Sequence, residues 1–146
     1  MDKERLRQLL HEQNFRLTRE RESLLELFVQ SGRMLTPAQL HKWAQEHGAR
    51  VGLTTVYRLL EVLTKVGAAM PFLVEGNIYY AFCSDGHHHH FVCLSCHRVH
   101  ELRECPSFLH VPREFQVESH RADLFGTCPH CQSAALGDAA GTGLTP

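Results

Sequence analysis

Two identical pairs, Cys93-x-x-Cys96 and Cys128-x-x-Cys131, are separated by 31 residues. A two-residue spacer lets one turn present two sulfurs to a single ion, and two such turns complete a tetrahedral thiolate shell for zinc. The same spacing occurs in disulfides and in redox-active dithiols. The opening stretch MDKERLRQLL has no apolar h-region, so a reducing, cytoplasmic setting is expected, in which paired thiols persist as metal ligands.

A second constellation lies just ahead of the first pair. His87-His88-His89-His90 is an internal run of four imidazoles. In a strand, successive side chains point to opposite faces, so His88 and His90 share one face while His87 and His89 share the other. One tetrapeptide can thereby seed two metal sites. Cys83, five residues before His88, is the thiol expected to join the His88/His90 face. Glu104 and His120 are the expected partners of His87 and His89, with Glu101 and His110 as competitors. Imidazole with thiolate suits zinc, and imidazole with carboxylate also suits iron or manganese. Cys105 reads as a small buried thiol outside these sites, and His97, His100 and His130 read as surface residues.

These ligands are confined to one part of the chain. All six Cys and nine of the twelve His lie after residue 82. Charge divides at the same point: residues 1–82 carry eleven Lys+Arg against nine Asp+Glu, and residues 83–146 carry four against seven. The formal net charge of the 146 residues is −1, which excludes polyanion binding by bulk charge alone. Apolar residues make up 43%, enough for a packed core, and no run approaches the roughly 18 apolar residues of a membrane span.

The ligand-poor half reads as helices followed by a hairpin. Leu6, Leu9 and Leu10 mark a helix over residues 4–13, and Thr18 caps a second with Leu24, Leu25, Phe28 and Val29 as its apolar stripe. Thr36-Pro37-Ala38-Gln39 is a capping box with proline in the first turn, opening a third helix that Gly48 stops. A fourth runs from near Thr54 to Gly67, buries Val56, Leu59, Leu60 and Leu63, and exposes Thr54, Thr55, Tyr57 and Arg58 around its start. Pro71–Val74 and Ile78–Phe82 then alternate around Glu75-Gly76-Asn77 as two short strands. Three helices, a fourth with a polar start and a hairpin make a winged helix-turn-helix.

After residue 82 the pattern favours strands: His87–Val92, Val99–Leu102, Phe115–His120 and Arg121–Phe125, with a short helix or loop over Pro106–Arg113. The expected organisation is a winged-helix domain over 1–82, a hinge over 83–86, a metal-binding domain over 87–132, and a mobile Gly/Ala/Ser/Thr-rich tail over 133–146.

With these pieces in order, the sequence resembles the ferric uptake regulator family of bacterial metal-dependent repressors. The resemblance rests on Arg16-Leu-Thr-Arg19, Gly52-Leu-Thr-Thr-Val-Tyr-Arg58, the histidine run leading into Cys93-x-x-Cys96, and Phe125-Gly-x-Cys128-x-x-Cys131. It implies an α+β protein: an N-terminal winged helix-turn-helix followed by a small α/β dimerisation domain with a four-cysteine zinc site. It further implies a homodimer on a double-stranded DNA operator, with Tyr57 and Arg58 facing DNA. Arg16, Arg19, Thr54 and Thr55 are candidate contacts beside them.

Within the family, Cys83 resembles the hinge-side cysteine of zinc uptake regulators. Iron sensors tend to carry a carboxylate where Ala81 stands and a histidine near Arg33-Met34. The expected function is therefore zinc-dependent repression of metal-uptake genes, with Zn2+ in structural and regulatory sites. The alternative is an iron-, manganese- or peroxide-responsive regulator with Fe2+ or Mn2+ in the regulatory sites. The usual fourth hinge ligand has no counterpart, since Ala69 and Phe72 stand nearest, and Glu75, Glu101 or a water remains for that role. The segment 103–119 is several residues shorter than in typical members. An enzyme is not expected, because no H-E-x-x-H, nucleophile elbow or Ser/His/Asp set occurs. A zinc-storage protein would need the histidines but not the recognition helix.

Overall fold

The computed structural model describes residues 2–105 and 110–141, of which 137–141 are described by their backbone alone. The chain divides into two compact units, Met1–Gly86 and His87–Pro146.

The first unit is built from four helices. Asp2 caps α1 (Lys3–Glu12), Thr18 accepts from the Arg21 N–H to cap α2 (Arg19–Ser31), and Gly32 ends α2 at a φ of 58°. That left-handed backbone is one that glycine adopts without steric cost. Thr36 and Gln39 exchange reciprocal hydrogen bonds at the start of α3 (Pro37–Glu46), the capping box read from sequence. Helix α4 (Leu53–Lys65) begins at Gly52, without a side-chain cap.

These helices close over one core. Leu10, Leu24, Phe28, Leu40, Val56, Leu59 and Leu63 are buried, with Leu6, Phe15 and Ala44 beside them. The apolar stripe of α4 is therefore committed inward, which forces its opposite face outward: Thr54, Tyr57 and Arg58 are exposed and Thr55 is half-buried.

The wing follows as an antiparallel hairpin. Strands β1 (Ala69–Val74) and β2 (Asn77–Phe82) pair from Ala69↔Phe82 to Val74↔Asn77. Glu75 and Gly76 both have positive φ, 50° and 80°, as a two-residue turn of the hairpin type requires. A single antiparallel bridge, Leu35↔Tyr80, ties the hairpin to the segment before α3. That bridge has no periodic sequence signature, and sequence reading missed it.

The second unit is a three-stranded sheet of order β4-β3-β5. Strand β3 (His89–Cys93) is central, antiparallel to β4 (Val99–Leu102) and parallel to β5 (Asp123–Gly126). Helix α5 (Pro129–Gly141) follows.

Two sequence expectations change here, and a third lies partly outside the described residues. The strand expected over Phe115–His120 is irregular, because no strand pairs with it among the described residues. The tail expected from residue 133 is helical to Gly141, where the alanines that suggested low complexity act as strong helix formers; residues 142–146 lie outside the described residues. Of the short helix or loop over Pro106–Arg113, residues 106–109 lie outside the described residues, and 110–112 have no regular structure.

Candidate metal centres

The four paired cysteines converge at one end of the small sheet. Cys93 ends β3, and the chain turns back on itself through Leu94 and Ser95, where the His97 N–H donates to the Cys93 carbonyl at 2.9 Å and the Cys93 N–H to the Arg98 carbonyl at 2.9 Å. His97 takes a φ of 62°, so it is a half-buried part of this knuckle rather than the plain surface residue expected from sequence. Cys128 follows β5, and its N–H donates to the Cys93 sulfur at 3.3 Å. The four Sγ atoms of Cys93, Cys96, Cys128 and Cys131 lie within 4.8 Å of one another, and the Cys96–Cys128 separation is 3.9 Å. A tetrahedron with Zn–S arms of about 2.3 Å has S···S edges of about 3.8 Å, so the four thiols fit such an ion.

Their electrostatics favour a cation. Burial pushes the Cys93 thiol up, but backbone N–H groups of Cys96, Cys128 and Ser95 outweigh it and bring the value down to about 6. Cys131 goes the other way. The Ser95 hydroxyl favours its thiolate, yet Cys128, burial, Cys96 and Cys93 together push it up to about 12. One thiolate forms readily, and crowding then resists the last. A divalent ion relieves this by holding all four as thiolates.

The histidine run splits as the alternation rule requires. The rings of His87 and His89 lie 4.7 Å apart, and those of His88 and His90 lie 4.8 Å apart. His89 and His90 are almost fully buried, at 1% and 2% exposure, far from a solvated polyhistidine stretch. Burial lowers the pKa of both. At His89 the neighbouring His87 and His120 imidazoles add to that lowering, while at His90 the Asp123 carboxylate opposes it. Each is biased toward the neutral imidazole that ligates metal.

On the first face, His87, His89 and His120 meet Cys105, with all four ligand atoms within 4.8 Å. The Cys105 sulfur lies 3.3 Å from His87 Nε2, 3.4 Å from His89 Nε2 and 3.5 Å from His120 Nε2, and His120 and His89 are 3.3 Å apart. Glu104, expected here from sequence, is exposed and outside this group, as are its competitors Glu101 and His110. Glu104 sits at a bend in the chain, one residue before Cys105, and it is Cys105 that reaches the imidazoles. Cys105 is correspondingly exposed, not the buried spectator thiol expected.

On the second face, His90 Nδ1 donates to Asp123 Oδ1 at 3.0 Å, and His88 Nε2 lies 3.9 Å from Glu101 Oε1. The parallel register His90↔Asp123 creates the first contact. It fixes the His90 tautomer with Nε2 available to a metal. Sequence reading missed Asp123, because a parallel register between strands about 30 residues apart leaves no local mark. Cys83 closes the hairpin of the first unit. It is buried, and its N–H donates to the Ala68 carbonyl at 3.0 Å.

Of the residues expected to contact DNA, Arg16 and Arg19 are exposed ahead of and at the start of α2, and Thr54, Tyr57 and Arg58 are exposed on the first turns of α4. Arg21 is held inward instead. Its guanidinium sits 4.9 Å over the Phe15 ring and donates to the Arg16 carbonyl at 2.9 Å.

Comparison with known proteins agrees with this architecture. The profile of the Ferric uptake regulator family matches residues 12–122. A zinc uptake regulation protein of Mycobacterium tuberculosis is 32% identical over 124 residues, covering 81% of this chain and 95% of the relative. A ferric uptake regulation protein of Bacillus subtilis is 27% identical over 138 residues, covering 88% and 93%. Among solved structures, the ferric uptake regulator of Helicobacter pylori superposes with a TM-score of 0.60 at 22% identity, covering 88% of this chain and 90% of that one. A family match over most of the length, on a winged helix joined to a sheet that gathers cysteine and histidine ligands, makes this chain a member of the ferric uptake regulator family of metal-sensing, DNA-binding repressors.

Proposed function

We propose that the protein is a homodimeric transcriptional repressor whose signal is zinc. The observation that carries this reading is the donor chemistry around the unit boundary. A buried thiol, Cys83, precedes by five residues a pair of edge-to-face imidazoles, His88 and His90, and Asp123 sets the tautomer of the second. Five residues of extended chain span at most about 17–18 Å, so the thiol can never stray far from the imidazoles. Thiolate with imidazole favours zinc over the harder manganese and ferrous ions. The family alternative, iron or manganese as the signal, has its own support, because the relatives include ferric as well as zinc uptake regulation proteins.

In this reading Cys93, Cys96, Cys128 and Cys131 hold a permanent structural zinc, while Cys83, His88 and His90 hold an exchangeable one. A permanently bound ion cannot signal. An exchangeable ion joined to both sides of the hinge binds better to the conformation it bridges, and by linkage metal and DNA strengthen each other's binding. A nearly complete switch requires about 5.5 kcal/mol of differential metal affinity. Tyr57 and Arg58 on α4, with Thr54 and Thr55, meet the major groove, and Arg16 and Arg19 meet phosphates. The protein acts as a regulator of metal-uptake genes and not as an enzyme.

The test is operator binding by full-length protein under buffered metal. Picomolar free zinc should drive binding, and Cys83→Ser should shift the required zinc upward by about tenfold or more while the structural zinc stays. Binding that follows ferrous ion or manganese but ignores zinc would replace zinc with the alternative signal.

A further inference from the structure

We propose that Cys105 is the selectivity-determining ligand of the His87/His89/His120 centre, making it a three-imidazole, one-thiolate site for zinc-class ions. The inference rests on reading the histidine clusters as metal centres and adds which donor completes this one.

The geometry supports a single ion. A tetrahedron with Zn–N arms of about 2.0–2.1 Å and a Zn–S arm of about 2.3 Å has N···N edges of about 3.3–3.4 Å and N···S edges of about 3.5–3.6 Å. The observed N···S separations are 3.3, 3.4 and 3.5 Å, and the His89–His120 N···N separation is 3.3 Å. All three contacts to sulfur use Nε2, so the rings converge on one point instead of stacking past each other. Separate parts of the chain deliver the donors: β3 and the residues before it bring His87 and His89, Cys105 comes three residues after β4, and His120 comes from the segment just before β5.

The chemistry then sets the metal. A carboxylate at this position would keep the centre open to manganese and ferrous ion, which prefer oxygen donors. A thiolate replaces the hard donor with a soft one and carries the same single negative charge. Selection falls on zinc and cobalt(II), and manganese is disfavoured. Glu104, the neighbouring carboxylate, contributes nothing to the ion.

Cobalt(II) reports this directly, because a cobalt–thiolate bond gives a near-ultraviolet charge-transfer band that imidazole and carboxylate do not. The experiment uses full-length Cys83→Ser protein, with the four-cysteine cluster held zinc-loaded and checked by metal analysis. Cobalt titration should give a charge-transfer band of one thiolate, together with visible bands of tetrahedral intensity. Adding Cys105→Ser should abolish the charge-transfer band, and adding Glu104→Gln should leave it intact. Cys105→Asp, which keeps an anionic donor, should still bind metal. Its zinc-over-manganese preference should fall by at least the roughly tenfold to hundredfold that losing even an outer partner of a metal ligand costs.

Cobalt bound without any charge-transfer band, or a band that survives Cys105→Ser while the four-cysteine cluster keeps its zinc, overturns the assignment of Cys105 while leaving a metal centre in place. No cobalt bound beyond the four-cysteine cluster overturns the reading of this cluster as a metal centre altogether.

Discussion

A cysteine is a metal ligand or an inert core thiol according to what surrounds its sulfur, and this chain holds examples that sequence separates unequally. Cys93, Cys96, Cys128 and Cys131 announce themselves by spacing. Replacing Cys93 with serine should empty that cluster, because three thiolates and a hydroxyl cannot complete the shell. Structural zinc in small domains contributes roughly 10–16 kcal/mol of binding energy, so the loss should exceed about 5 kcal/mol and unfold the second unit. Zinc content and thermal melting report it, and a Cys93→Ser protein that keeps its zinc and its melting temperature would contradict the role. Cys105 has no partner at diagnostic spacing, and only the fold brings it to His87, His89 and His120. The buried histidines carry a pH consequence. His89 and His90 titrate below the ordinary value of about 6.5, so the unfolded chain takes up protons that the folded chain refuses. Their contribution to stability is complete above about pH 6.5 and is lost as pH falls through the lowered values. Protein carrying only its four-cysteine zinc should therefore lose stability toward denaturant between about pH 7 and pH 5. Stability that rises over that interval would show that these imidazoles are not held neutral.

Elements that complete themselves locally were legible, and elements that depend on distant partners were not. The capping box at Thr36, the glycine stop at Gly32 and the hairpin turn at Glu75-Gly76 each satisfy their hydrogen bonds within a few residues, so four helices and a wing could be read directly. The histidine alternation was legible for the same reason. The parallel pairing of β3 with β5 was not, and with it went the Asp123–His90 contact. That pairing has a tight point of its own. Gly126 lies opposite Cys93 in the register, and a Cβ there would meet the Phe91 ring at 3.3 Å. The ring must give way to any side chain, and a branched one demands more than it can yield. Gly126→Val should cost about 1–3 kcal/mol, the usual range for overpacking, and should loosen zinc retention by shifting the strand that leads to Cys128. Denaturant unfolding and the rate of zinc loss to a chelator measure both. Wild-type values in both would mean that β5 is not held against Phe91.

At the scale of the whole molecule, the irregular segment over residues 110–122, ahead of β5, is the part least explained by a single chain. Phe115 and Val117 alternate with polar residues as a strand would, yet they are 64% and 54% exposed, and nearby Val111 is 53% exposed. A chain with strand periodicity and no paired neighbour among the described residues is what a subunit presents when its partner supplies the missing contact. The homodimer proposed above would read two half-sites with its two α4 helices, and this surface offers the place where a second copy would dock. In a two-fold dimer each substitution acts twice. Burying a phenylalanine contributes about 1.5–3 kcal/mol, so Phe115→Glu should weaken self-association by at least about 3 kcal/mol, or roughly a hundredfold in dissociation constant. Sedimentation equilibrium over a range of concentrations should show the variant as monomer where the parent is dimer, with the four-cysteine zinc retained. Operator affinity should fall with it even though α4 is untouched. If Phe115→Glu stayed dimeric at every concentration, the apolar residues of this stretch would lie outside the subunit interface, and pairing would have to be assigned to another surface of the second unit.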